Sequence, residues 1–524
     1  MALNEVSITI LETSDIHGHI MPLHYAANKE TPNGLARISS YIKDMRKQEP
    51  DLLLIDNGDC IQGTPLTYHY AKFRDHLPNP VISVMNHLQY DCAVIGNHEF
   101  NYGMSIVSRA VSQSFFPWLS ANILHRDTKE SYFGYPYTVK EVKGVKIVIV
   151  GITTHYIPNW ENPSHIKELA FEDALLSLKR WVQFIHETEQ PDVLIVSYHG
   201  GFECDLETGD LTEQQTGENQ GGQILKEVAG IDLLLTGHQH RILSKSVNDT
   251  YIIQPGYNGQ HIGKAVIHLK KGTNSWRVEN IEGEVVSMAD QLPDKDVLDL
   301  VYFQEMETQK WLDQPIGYID GDMTIHNPLK VRTHEHPMIE WINKVQMKAS
   351  GVSISATSLL SNISEGLPSK VTMREIVSNY IYPNTLTVLE LSEADIRKAL
   401  EQSASYFTLN EEGQIDVNPE FVLPKPQHYN YDMWEGISYT IDVSKPIGER
   451  VIELEFYKEG PHHVVMNNYR AGGGGNFSMF KDKPVVKEIL IDMAELLAED
   501  LLEKKTIKAE VNNNFKVINS NAHR

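Results

Sequence analysis

The chain has 524 residues, more than one hydrophobic core organises, so roughly two to four domains are expected. An apolar fraction of 41% excludes a disordered chain, and no run approaches the roughly 18 consecutive apolar residues of a membrane helix. Forty-six basic against 70 acidic residues leave a formal charge of −24, which argues against a DNA or RNA polymer as partner but admits a small anionic substrate neutralised locally.

The opening stretch MALNEVSITILETSDIHG lacks the basic and apolar regions of a signal peptide. Its first run, Val6–Leu11, reads as a strand, as do Leu52–Ile55, Cys92–Ile95, Val145–Val150, Val193–Ser197 and Leu233–Leu235 further along. Helical spacing lies between them, in Leu35, Ile38, Tyr41, Ile42 and Met45 within 34–48 and again in Phe171, Leu175, Leu178, Val182 and Ile185 within 171–186. Strands bounded by helices predict an α/β layered domain that binds its ligands beyond the strand ends. Around 285–315 a polar entry with Pro293, a helix-like run and Pro315-Ile316-Gly317 mark a domain boundary. Past it the pattern predicts helices at 337–349, 393–404 and 485–502 and strands at 438–443 and 451–457, an α+β domain. Three cysteines, Cys60, Cys92 and Cys204, cannot build a disulfide framework; with no leader pattern in the opening stretch, a cytoplasmic location is the expectation, although a chain whose leader had been removed would read the same way.

Five of the strand-like runs end in metal-binding side chains. TSDIHGH carries Asp15 and His17, DNGDCIQG carries Asp59, GNHE carries Asn97 and His98, SYHGG carries His199, and LLLTGHQH carries His238 and His240. Each has a plainer reading alone: Asp-x-His at a strand end is usually turn chemistry, a lone His a core imidazole, and Asn97 an Asx-turn or helix cap. Five such ends in order within one half-chain make the plainer readings fail together. Oxygen donors mixed with imidazoles suit Zn, Mn, Fe or Co better than Mg or Ca. Seven ligands exceed what one tetrahedral ion uses, so two divalent ions bridged by a carboxylate are expected. HEH at 334–336 and HH at 462–463 have no matching donors nearby and are set aside.

The ordered set D-x-H, G-D, G-N-H-E, H-G-G and G-H-x-H resembles the calcineurin-like metallophosphoesterases. GNHEFNYG, DNGDCIQGTPL, YIYPNTL and NNYRAGGGGNF further resemble the bacterial 5'-nucleotidase group, and within it the 2',3'-cyclic-nucleotide 2'-phosphodiesterase/3'-nucleotidase branch. The resemblance covers nearly the whole chain. With the boundary above, it implies a layered α/β/β/α metallophosphoesterase domain at 1–290, a helical linker at 291–314 and an α+β substrate-recognition domain at 315–524.

Carried over residue by residue, the resemblance implies that Asp15, His17 and His240 hold one metal, Asn97, His199 and His238 the other, and Asp59 bridges them. His98 would act on the substrate phosphate, oriented by Asn101. The 5'-nucleotidases of the family carry Asp at that position, and Asn there is a feature of the 3'-nucleotidase-like branch. Tyr429 in HYNYDMWEG and Tyr469 in NNYRAGGGGNF would lie on either face of a nucleobase, with Gly472–Gly475 letting backbone approach the ligand. The expected reaction is hydrolysis of 2',3'-cyclic nucleotides and 3'-nucleotides, with a 5'-nucleotidase or a non-catalytic nucleotide-binding protein as alternatives. The expected partner is a small nucleotide, with no nucleic-acid polymer and no membrane; the sequence gives no oligomeric state.

Overall fold

The computed structural model describes residues 4–521 except 160, 213, 214, 274, 383, 424, 458, 459 and 490. The chain forms two compact units, Met1–Pro158 with Pro163–Thr308, and Asn159–Asn162 with Gln309–Arg524. A helix, Lys295–Leu312, occupies the stretch read as a linker, and the division falls within it. The second unit also takes a tetrapeptide, 159–162, that no sequence pattern marked.

The first unit is built on two six-stranded sheets. One runs Trp276–Ser287, His261–Lys271, Glu5–Thr13, Leu53–Asp56, Cys92–Val94, Trp118–Leu119; the other runs Ile242–Val247, Thr250–Pro255, Leu233–Thr236, Val193–His199, Val145–Thr153, Tyr137–Val142. Ile8, Ile10, Ile55 and Val94 of the first sheet form one core with Ile147, Ile149, Ile195 and Leu235 of the second. The alternate residues Val148, Val150, Leu194 and Val196 turn the other way onto the helix Ala174–Thr188. These strands are therefore covered on both faces, which explains why they read as unbroken apolar runs. Leu53–Asp56 and Cys92–Val94 run parallel to Glu5–Thr13, and Val145–Thr153, Val193–His199 and Leu233–Thr236 run parallel to one another. Parallel pairing places the loops after these strands at a common edge.

The helix expected at 171–186 starts later. Leu169–Phe171 pairs with Ile123–His125 as a strand, and Asp173 caps the helix from Ala174 by accepting the Leu176 N–H at 2.9 Å. In the second unit the order is Asp432–Glu435, Ile354–Ser358, His462–Asn467, Leu386–Leu391, Val485–Ile489, with the helix Pro337–Ser350 packed on the sheet. The helix expected at 485–502 is a correction: Val485–Ile489 is an edge strand paired with Leu386–Leu391, and the helix is Met493–Lys504, capped by Asp492. The β-branched pair Val485-Val486 favours the strand, and the cap residue restarts the chain as helix. Among the described residues no helix is long and apolar enough to cross a membrane.

HEH at 334–336, set aside as a metal motif, contributes Glu335 to a carboxylate cluster with Glu340 and Glu435. The Asn512 N–H donates to Glu335 at 3.3 Å and to Glu340 at 3.0 Å, and the Asn512 side chain donates to Glu435 at 2.7 Å. Burial, followed by the hydrogen bond with Glu340, raises the Glu335 carboxyl from an ordinary 4.5 to about 7. The folded chain therefore keeps a proton that the unfolded chain releases, so this group's contribution to stability declines as pH rises from about 4.5 to about 7. Glu335→Gln is expected to flatten that decline, read as urea midpoints at about pH 5 and pH 7.5. An identical decline in variant and wild type refutes the coupling.

Candidate metal centre

Seven polar residues collect where the parallel strands of the first unit end. Asp15 and His17 follow Glu5–Thr13, Asp59 follows Leu53–Asp56, Asn97 follows Cys92–Val94, His199 closes Val193–His199, and His238 and His240 follow Leu233–Thr236. Five of them hold left-handed backbone: Asp15 (φ 53°), His17 (49°), Asp59 (57°), His238 (65°) and His240 (58°). Each such non-glycine conformation costs on the order of 1 kcal/mol or more, and strain of this kind gathers at functional sites.

The carboxylate in GNHE, given no role by sequence reasoning, ties two of these loops together. Buried Glu99 accepts the backbone N–H groups of Asp59 (2.8 Å), Cys60 (2.7 Å) and Gly96 (2.7 Å). A methyl on Gly96 would collide with Asp59 Oδ1, so only glycine lets the Asn97 turn approach the Asp59 turn this closely.

The donor atoms fall into two groups. His240 Nε2 lies 3.0 Å from His17 Nε2 and 3.3 Å from Asp15 Oδ1, and His17 Nε2 lies 3.9 Å from the same oxygen. Tyr257 stacks on the His240 ring at 4.7 Å and 11°, fixing its plane. In the second group His199 Nε2 is 3.2 Å from Asp59 Oδ2 and 3.1 Å from Asn97 Oδ1, and His238 Nδ1 is 2.9 Å from Asn97 Oδ1.

This donor set fits divalent cations. His199 Nδ1 donates to the Asn57 carbonyl at 2.6 Å, which assigns its proton to that nitrogen and turns the Nε2 lone pair toward Asn97 Oδ1 and Asp59 Oδ2, both acceptors. Lone pairs facing lone pairs at hydrogen-bond distance call for a cation between them. The charges agree. Burial pushes His199 down, yet Asp59, Asp15 and Glu99 draw it up to about 10, so these carboxylates pull a proton into the space a metal charge would otherwise fill. Burial and the neighbouring His240 hold His17 well below the usual imidazole range, and therefore neutral with a lone pair to give. Against the upward push of burial, His240 holds Asp15 low and ionised.

His98 belongs to neither group. Its Nδ1 lies 2.7 Å from Asn101 Oδ1, its backbone N–H donates to Asp59 Oδ1 at 2.7 Å, and its ring sits 5.3 Å from that of His17. Sequence reasoning missed Asn57 and Glu218, the latter 2.9 Å from His238 Nε2; neither carries a local pattern that would have marked it.

In the second unit Tyr429 and Tyr469 are adjacent, with ring centroids 6.2 Å apart, but they meet edge to face at 76°. A base sandwich needs parallel rings about 7 Å apart, two contact distances of about 3.5 Å, so the expected arrangement requires one ring to turn. Tyr382, in the quoted YIYPNTL, adds a third ring 6.2 Å from Tyr429. Buried Arg470 braces the group. Its Nη2 donates to the Tyr429 carbonyl at 2.9 Å, its Nε to Asp432 at 2.7 Å and its Nη1 to the Gly474 carbonyl, while its guanidinium lies 3.9 Å from the Phe477 centroid. At Gly474 the backbone closes on Tyr469 itself: an added methyl would meet that ring at 2.6 Å.

A two-sheet domain with a mixed imidazole, amide and carboxylate centre at its strand ends defines a metal-dependent phosphoester hydrolase. Residues 8–241 match the calcineurin-like phosphoesterase family and residues 315–482 match the 5'-nucleotidase C-terminal domain. The fold matches the crystal structure of a Staphylococcus aureus protein provisionally named a 5'-nucleotidase, at 34% identity and a TM-score of 0.90, covering 98% of this chain and 100% of that one. A 2',3'-cyclic-nucleotide 2'-phosphodiesterase/3'-nucleotidase from Yersinia enterocolitica is 27% identical over 90% of this chain and 81% of its own length. The trifunctional nucleotide phosphoesterase YfkN of Bacillus subtilis is 26% identical over 98% of this chain, which spans only 39% of that larger protein. The chain belongs to the 5'-nucleotidase family of calcineurin-like phosphoesterases.

Proposed function

We propose that this protein hydrolyses 2',3'-cyclic nucleotides and 3'-nucleotides with two divalent ions of the Zn, Mn, Fe or Co class. Asp15, His17 and His240 would hold one ion, Asn97, His199 and His238 the other, and Asp59 would serve both. The observation that carries the reading is the convergence of these seven donors beside an imidazole, His98, that joins neither group. The relatives from Yersinia, Salmonella and Haemophilus named for this double activity, 25–27% identical, support the choice of substrate.

When bound, the two ions supply Lewis-acid neutralisation of the phosphoryl charge and activation of the attacking water. The chain's own groups do the rest. Asn101 Oδ1 takes the His98 Nδ1–H, so proton exchange with the leaving oxygen falls to Nε2. Asp59 fixes the His98 backbone, and Glu99 fixes Asp59. Asn101, being neutral, orients the imidazole without the cation stabilisation that a carboxylate would add. A 5'-nucleotidase is the second reading, favoured by the name of the Staphylococcus aureus relative.

Tyr429 and Tyr469 read the base. Replacing either with Ala removes stacking worth ~1–3 kcal/mol, so kcat/KM on nucleotides is expected to fall roughly ten- to a hundredfold while a small alkyl phosphoester is hydrolysed as before. Equal losses on the baseless ester assign the tyrosines to the fold. A panel of 2',3'-cyclic, 3'- and 5'-nucleotides with each metal decides the substrate, and a strong preference for 5'-monophosphates overturns the first reading.

A further inference from the structure

His238 is held at three points. Its backbone N–H donates to Asp15 Oδ2 at 3.0 Å, its Nδ1 lies 2.9 Å from Asn97 Oδ1, and its Nε2 lies 2.9 Å from Glu218 Oε1. The two ring nitrogens therefore face different partners: Nδ1 points into the donor group and Nε2 points at a carboxylate outside it. A carboxylate oxygen at Nε2 is an acceptor, so the geometry places the ring proton on Nε2 and turns the Nδ1 lone pair toward the metal group. His199 is oriented in the same manner by a backbone carbonyl, that of Asn57, whereas the partner of His238 is a side-chain carboxylate.

The loop bearing Glu218 is secured without its side chain. The Glu218 carbonyl accepts Thr154 Oγ1 at 2.7 Å, the Gln220 N–H donates to Tyr198 Oη at 3.2 Å, and Asn219 Oδ1 accepts the Gly201 N–H at 2.7 Å. Tyr198 precedes His199 and Gly201 follows it by two residues, so the strand end that presents one imidazole also anchors the loop that supports the other. The Glu218 side chain is 33% exposed, and its removal leaves no large cavity.

We propose that Glu218 is a positioning residue of the metal centre, holding His238 in its Nε2–H tautomer and strengthening the grip of Nδ1 on a divalent ion. This rests on His238 being a ligand. A carboxylate behind a metal-binding imidazole fixes ring orientation and raises basicity, and its loss typically lowers metal affinity 10- to 100-fold.

The test loads the full chain with Mn2+ or Zn2+ and follows the metal retained, by elemental analysis, across increasing chelator. Wild type is expected to hold two ions. Glu218→Ala should release one of them at roughly 10- to 100-fold less chelator and keep the other as wild type does. Glu218→Gln, whose amide oxygen accepts the same hydrogen bond, should lie between. The chelated forms should unfold at one temperature, because contacts other than the Glu218 side chain hold the loop. Glu218→Ala that keeps both ions as tightly as wild type overturns the inference and leaves the metal centre standing. Glu218→Gln as weak as Glu218→Ala overturns it too, since an acceptor kept at Nε2 would then do nothing to hold the ion. Wild type that holds no ion overturns the metal centre, and this inference with it.

Discussion

Asp59→Ala is expected to lose bound metal and hydrolytic activity together. Asp59 is 1% exposed, has left-handed backbone and faces two ways: Oδ2 lies 3.2 Å from His199 Nε2, and Oδ1 accepts the His98 N–H. Truncation strips a charged donor from the centre and frees the turn carrying His98. Charge stabilisation of several kcal/mol, taken as about 4, corresponds to roughly three decades in rate. His240→Ala should differ, because its ring nitrogen faces Asp15 and His17 in the other group, so that variant should retain one ion. Elemental analysis beside initial rates checks both; two tightly held ions in Asp59→Ala refute the assignment.

His98→Ala should do the reverse, keeping both ions while kcat falls by roughly 10² to 10⁴ and KM moves only a few-fold. The ring contributes to neither donor group, and its backbone bond to Asp59 survives side-chain truncation. A loss confined to kcat identifies an interaction made in the transition state. Steady-state kinetics on a variant shown to be fully metallated decides the matter, and a near-normal kcat removes His98 from the chemistry.

The buried strands and the residues at their ends were legible in the sequence for one physical reason. A strand covered on both faces is apolar at every position, so Val145–Val150 stands out, and the polar residues that follow it or its neighbours are conspicuous. Edge strands lack that signal. Trp276–Ser287 alternates charged and apolar residues along a half-exposed ribbon, a pattern with no unbroken apolar run. Val485–Ile489 carries Lys487 and Glu488, so its pattern is continuous with that of the helix that follows. The partners of the ligands were hidden for another reason: Asn57 meets His199 across 142 positions and Glu218 meets His238 across 20, and no local spacing encodes such a pairing. Ring orientation was equally beyond reach, since the edge-to-face meeting of Tyr429 and Tyr469 depends on how Arg470 and Gly474 pack around them.

The left-handed turns at 15, 17, 59, 238 and 240 bear on any attempt to make this enzyme more durable. Glycine adopts φ near +55° without the Cβ clash, and asparagine tolerates it better than most residues. A directed-evolution campaign scored on melting temperature alone, in metal-free buffer, would be drawn to those five positions as the cheapest improvements. Its winners would be hardier proteins with the catalyst edited out, so selection for robustness in this scaffold has to be run with metal present and turnover as the gate.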